Sequence, residues 1–252
     1  MDIQVIKPED QGIGEFDGGN IKEQKPIGFP GEGSRIRRLG PLFYWAWATT
    51  QGAGSIGMHP HQGFEILTYV IGGNAHHKDT LGSNSVVGAG GVQLIQAGSG
   101  VSHAESMHEP SELFQIWLEP HLSKALQRHP AYYPYEAEQF PLAEADGVRI
   151  KTIIGEGAPV QVVADAAMQD VTLDAGASYR YSLASGRVLA GLAIRGNGAV
   201  AEQPVQHKDF VVVHAAQDRT EEVVIQAGVE PLRLFLIDVP AQVSYTLYNK
   251  RA

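Results

Sequence analysis

From residue 42 onward, short runs of β-branched and aromatic residues are cut at regular intervals by glycine, and that punctuation excludes most folds. Gly72-Gly73, Leu81-Gly82-Ser83-Asn84, Gly88-Ala89-Gly90-Gly91 and Gly98-Ser99-Gly100 separate segments expected as strands at 66–71, 75–79, 85–87, 92–97 and 113–118. Glycine accepts the positive φ that tight turns need, and segments this short suit strands better than helices. With 29 glycines and 14 prolines, the chain reads as all-β, built as an antiparallel barrel or sandwich. Gly40-Pro41 opens a further strand, Leu42–Trp47, whose aromatic residues are expected mainly as core.

Residues 1–34 are polar and glycine-rich and are expected as an extended arm carrying a short strand. Residues 119–147 interrupt the β pattern: Pro120 to Pro130 suits a short helix, and Ala131-Tyr132-Tyr133-Pro134-Tyr135 an extended crossover. From residue 148 a second series begins, with strands expected at 148–154, 160–164, 168–173, 178–183, 187–195, 210–214, 221–226 and 232–239. The expected division is 1–147, including the arm and crossover, and 148–252. Length alone is compatible with one large β domain or two smaller ones.

Within this framework one set of residues carries chemistry. Met58-His59-Pro60-His61-Gln62-Gly63-Phe64-Glu65 is answered later by Ser102-His103-Ala104-Glu105. Residues i and i+2 of a strand share a face, so His59 and His61 point together, as do His103 and Glu105. Gly63 and Glu65 continue the alternation and point the same way as the first pair. A lone His-x-His is common on a solvated strand, but here two pairs lie among apolar residues, where imidazoles and carboxylates are costly unless paired or metal-bound. Three imidazoles and a carboxylate suit a first-row transition metal and leave coordination positions for other ligands. His76 and His77 face opposite ways, cannot both enter such a site, and are expected at the surface or behind the ligands. His121 and His129 are expected at the surface, and His207 and His214 stand alone, so no second centre is expected after residue 148.

The absence of cysteine excludes disulfides and thiolate ligands, which leaves nitrogen and oxygen donors. A formal charge of −9 disfavours direct nucleic-acid binding and is neutral about protein partners. No apolar run approaches a membrane span, and the start lacks a secretory pattern, so the default expectation is a cytoplasmic protein.

His59 through Val70, His77-Lys78-Asp79-Thr80-Leu81-Gly82, Gly90 through Glu105 and Phe114-Gln115-Ile116-Trp117-Leu118 together resemble the pirin family of the cupin superfamily. The resemblance covers about 40–150 and fades beyond. It implies a bicupin, two antiparallel jelly-roll barrels packed face to face, with one metal in the N-terminal barrel. It places the ligands at His59, His61, His103 and Glu105, usually around Fe(II), with Mn, Ni, Cu or Zn as alternatives. General cupins instead draw a carboxylate from the position of Glu65, which is kept as a supporting residue or alternative ligand. The implied activity is oxidative ring cleavage of a flavonol such as quercetin with O2. Glu105 would then serve as both ligand and general base, and Gly63 would leave room for the ring. The alternative the resemblance offers is a non-enzymatic iron-dependent redox sensor or coregulator acting through a protein partner. Pro240-Ala241-Gln242-Val243-Ser244-Tyr245 is not aligned with that family pattern.

Overall fold

The computed structural model describes residues 1–248 and is β-rich throughout. It separates into two compact units, one holding Gln11–Gln139, Val162–Ala164 and the chain from Ser244, the other Met1–Asp10, Phe140–Gln161 and Asp165–Val243. Each unit has a seven-stranded and a four-stranded antiparallel sheet. The all-β expectation is met.

In the first unit the large sheet runs, edge to edge, Ala131–Tyr135, Val92–Gln96, Glu65–Gly72, Ser111–Leu118, Leu42–Thr50, Ile21–Ile27, Gly12–Phe16. The small sheet runs Gly54–His61, Val101–Met107, Asn74–Asp79, Asn84–Gly88. Ile21, Ala48, Val70 and Leu113 of the large sheet pack with Ala75, Val87 and Met107 of the small one, so the apolar faces of the two sheets meet in one core. The Leu42–Thr50 strand is central and buried along most of its length, and Phe114 meets Trp45 and Trp47 edge-on at 5.5 and 5.6 Å. Its aromatic residues are core, as expected.

The second unit repeats the plan. Its large sheet is ordered Asp2–Ile6, Phe210–His214, Arg187–Arg195, Leu232–Pro240, Ala167–Leu173, Val148–Ile154, Leu142–Ala145. The small sheet is Ser178–Leu183, Glu221–Ala227, Asn197–Val200, Gln203–Gln206.

This division differs from 1–147 and 148–252 in three places. The arm begins with a strand, Asp2–Ile6, that pairs with Phe210–His214 from Asp2↔His214 to Ile6↔Phe210, which assigns it to the second unit. Leu142–Ala145 pairs with Val148–Ile154 across Asp146-Gly147, both at positive φ (51° and 75°), so a boundary at 148 would cut a tight hairpin. The chain from Ser244 belongs with the first unit. Strand assignments also change: residues 1–34, expected to carry one short strand, hold three, Asp2–Ile6, Gly12–Phe16 and Ile21–Ile27. Residues 160–164 are not a strand, and the Asn197–Val200/Gln203–Gln206 hairpin, closed by Ala201 and Glu202 at positive φ, was not anticipated. The expected helix is a single turn, Leu122–Ala125.

Candidate metal centre

Two neighbouring strands of the small sheet bring the histidines together. His59 pairs directly with His103, and His61 with Val101. The register then shifts: two steps from His103 to Glu105 answer three from His59 to Ile56. This bulge falls at Gly57-Met58, and the Gly57 carbonyl accepts a 2.8 Å hydrogen bond from His59 Nδ1. A carbonyl only accepts, so Nδ1 carries the proton and Nε2 presents its lone pair, the arrangement a metal-binding imidazole needs. Bulges re-aim side chains in this way beside functional sites.

Ligand atoms of His59, His61 and His103 lie within 4.8 Å of one another. Their ring centroids are 4.7 Å (His59–His61), 4.4 Å (His59–His103) and 4.8 Å (His61–His103) apart. His103 is 1% exposed, and neither of its ring nitrogens has a hydrogen-bond partner. A buried imidazole with both nitrogens unsatisfied is costly, and a metal among the three rings would engage one of the two. The donor set therefore fits a metal. Burial, reinforced by His59 and His77, brings the His103 pKa down to about 3, so the ring is neutral and ready to ligate at ordinary pH.

That depression has a measurable sign. Between the ordinary histidine value of about 6.5 and the folded value, the unfolded chain takes up a proton that the folded chain refuses. Metal-free protein should therefore hold its stability above pH 6.5 and lose about 1.4 kcal/mol per pH unit below it through this residue. Urea midpoints at pH 7.5 and 5.5 check this; a His103→Gln protein with an equally steep fall would assign the effect elsewhere.

The other expected residues fall around this group. His77 is buried, not at the surface. Its Nε2 donates to Asp79 at 2.9 Å, and its ring stacks on Tyr132 at 3.8 Å with a 3° tilt, 5.4 Å from His103. Asp79 also accepts from the backbone N–H groups of Leu81 and Ser83. Burial pushes its carboxyl up, but these donors outweigh it and the pKa ends below the ordinary value. His76 faces the other way and stacks on His108 at 3.9 Å. His77 and Asp79 thus form a rigid wall behind His103, detectable from sequence only as the i, i+2 pair His77/Asp79.

Glu105 lies outside the three-histidine group. It accepts 2.9 Å from Gln115 Nε2, and the Gln115 carbonyl oxygen accepts from Trp117 Nε1 at 3.3 Å. Trp117 in turn stands edge-on to His61 at 5.2 Å.

Glu65 also lies outside the three-histidine group. Alternation fails between His61 and Glu65, because the first strand ends at His61 and Gly63 turns at φ +75°. Glu65 is 2% exposed and accepts from Val163 N (2.7 Å), Ala164 N (2.9 Å) and Gln96 Nε2 (2.8 Å). Burial lifts its carboxyl above the ordinary value, with these donors pulling it back. The carboxylate satisfies backbone groups that would otherwise seek a strand partner, which accounts for 160–164 being a loop. Gly63 likewise does not make room for a ring. A Cβ there would sit 2.5 Å from Leu122 Cδ1, and the positive φ is strained for any other residue. Gly63→Ala should cost about 1–2 kcal/mol of stability, read as a lower urea midpoint.

Beside His61 opens a cavity of about 670 Å³, within the range of small-molecule sites. His61, Phe64, Leu122, Leu126, Ser102 and Tyr248 are among its walls. No described helix is long and apolar enough to cross a membrane.

An all-β double-unit fold with a three-histidine group on paired strands defines a protein of the cupin type. The pirin family model matches residues 45–118. A Caulobacter vibrioides "Pirin-like protein" is 31% identical over 185 residues, 71% of this chain and 75% of that protein. A Pseudomonas aeruginosa protein named "Putative quercetin 2,3-dioxygenase" is 37% identical over 153 residues, 57% of this chain and 63% of the relative, so the match spans less than two thirds of that relative's length. The crystal structure of the bacterial pirin YhhW of Escherichia coli in complex with nickel(II) shares the fold, with a TM-score of 0.79 and 21% identity over 96% of this chain and 100% of that one. The chain belongs to the pirin family.

Proposed function

We propose that this protein is a metal-dependent dioxygenase of the pirin type that oxidatively opens the ring of a flavonol such as quercetin. The observation that carries the reading is the convergence of three imidazoles, of which His103 is buried with both nitrogens unpartnered and His61 lines a cavity with aromatic and aliphatic walls. The name of the Pseudomonas relative supports the substrate class, and nickel(II) in the Escherichia coli pirin supports a divalent metal. His59, His61 and His103 would hold the metal, and Glu105, outside that group but two residues beyond His103 on the same strand, is the proposed fourth ligand. Fe(II) is the proposed ion, with Mn, Ni, Cu or Zn as alternatives. When bound, the metal supplies Lewis-acid and redox chemistry for the reaction of the flavonol with O2.

The chain's own residues do the rest. As ligands the imidazoles supply nitrogen donors without adding charge. Phe64, Leu122 and Leu126 exclude water from the ring of the substrate. Glu105 accepts the proton of the flavonol hydroxyl as general base; the Gln115 bond to one of its oxygens fixes the carboxylate for that transfer. Oxygen uptake by Fe(II)-loaded protein given quercetin, with His59→Ala as control, tests the reading. Uptake that the variant loses supports it. No uptake by protein shown to hold metal removes it.

A further inference from the structure

We infer that the segment Ser244–Tyr248, latched on buried Glu119, forms one wall of the substrate cavity, and that the Tyr248 ring is a specificity-determining contact for a flat aromatic substrate. This inference rests on the proposed flavonol reading and deepens it. Glu119 follows the Ser111–Leu118 strand and is fully buried. One carboxylate oxygen accepts 2.9 Å from Arg38 Nη2 and the other accepts 2.6 Å from the backbone N–H of Tyr248. The Glu119 carbonyl accepts 2.7 Å from Tyr245 Oη, and the Tyr245 ring lies 5.5 Å from that of His121. Two hydrogen bonds thus fasten the segment to a single buried residue, one of them charge-assisted and therefore of the stronger kind.

What the latch positions is chemically specific. Tyr248 lines the same cavity as His61 and Phe64. Phe64 stands 5.3 Å from His61 and 4.9 Å from Trp117. Leu122 and Leu126 lie in the same wall, held close by the turn at Gly63. A planar ring entering toward His61 would therefore meet aromatic or aliphatic surface from Phe64, the single helical turn and Tyr248. Tyrosine offers a large contact area with few rotatable bonds and a hydroxyl that pairs with a phenolic substituent. Tyr248 is 38% exposed, so its ring can be removed without opening the core.

Quercetin binding to the full chain, read by quenching of tryptophan fluorescence, and steady-state oxygen uptake test the inference together. Tyr248→Ala should weaken quercetin binding about tenfold and raise KM in proportion while kcat stays within about twofold. Tyr248→Phe should restore most of the loss. Glu119→Ala should weaken binding as much as Tyr248→Ala, and the double variant no further, because both act through one wall. All of these variants should keep wild-type nickel(II) affinity. Unchanged quercetin Kd in Tyr248→Ala, with a wild-type protein that binds and turns over quercetin, overturns the wall and leaves the flavonol reading standing. A wild-type protein that does not bind quercetin overturns both.

Discussion

Alanine in place of His103 is expected to weaken nickel(II) binding by more than about a hundredfold, a larger effect than that of losing a supporting residue. His103 is the most enclosed of the three imidazoles, with neither nitrogen engaged by protein, so its removal takes a donor that nothing nearby replaces. The same substitution should leave the metal-free fold largely intact and flatten its loss of stability below pH 6.5, since the group that resists protonation is gone. Affinity for the metal and acid sensitivity of the metal-free protein should thus fall together, which a merely structural histidine would not produce. His76→Ala is the control: that ring stacks on His108 on the opposite face of its strand, and nickel(II) affinity should not change. Calorimetric titration decides the matter; wild-type affinity in His103→Ala would mean the metal is held elsewhere.

The second large effect is on folding. Glu65→Ala should lower stability by roughly 3 kcal/mol or more, because two backbone N–H groups and the Gln96 amide lose their acceptor in a buried site. Glu65→Gln keeps the volume and one carbonyl acceptor but turns an amide donor toward a donor, so an intermediate loss is expected. Urea denaturation followed by tryptophan fluorescence reports the unit that contains Trp45, Trp47 and Trp117. Below its midpoint, Glu65→Gln should bind nickel(II) as the wild type does. A folded Glu65→Gln protein that loses the metal would restore Glu65 as a ligand, against the geometry described above.

His59, His61 and His103 were legible in the sequence because the feature that unites them is local: i, i+2 alternation on one strand and a short hydrophobic strand for the partner. The register His59↔His103 then needs only that the two strands pair. Glu65 was misread for a reason equally local, since the same alternation was carried through Gly63, where the backbone turns. His77 was half legible: alternation required that one of His76 and His77 point inward but gave no sign of which. The all-β class and most strands followed from glycine spacing. The Asn197–Val200 hairpin escaped because Asn197-Gly198-Ala199 has none of the β-branched or aromatic character that marks a strand. The valines of 160–164 suggested a strand that a distant carboxylate pre-empts. Contacts between residues far apart in the chain, such as Tyr248 with Glu119, leave no periodic trace, so that segment carried no recognisable signal.

Pairing of Asp2–Ile6 with Phe210–His214 joins strands from widely separated parts of the chain. Until Phe210–His214 is synthesised, the opening strand has no place in a sheet; if the opening strand is clipped, Phe210-Val211-Val212-Val213 becomes a bare β edge. Such an edge is an invitation to pair with another chain. The Phe210–His214 edge of the second unit is therefore covered by a strand remote from it in sequence, and a proteolytic nick after Ile6 would be felt first as aggregation, with the histidine cluster itself untouched.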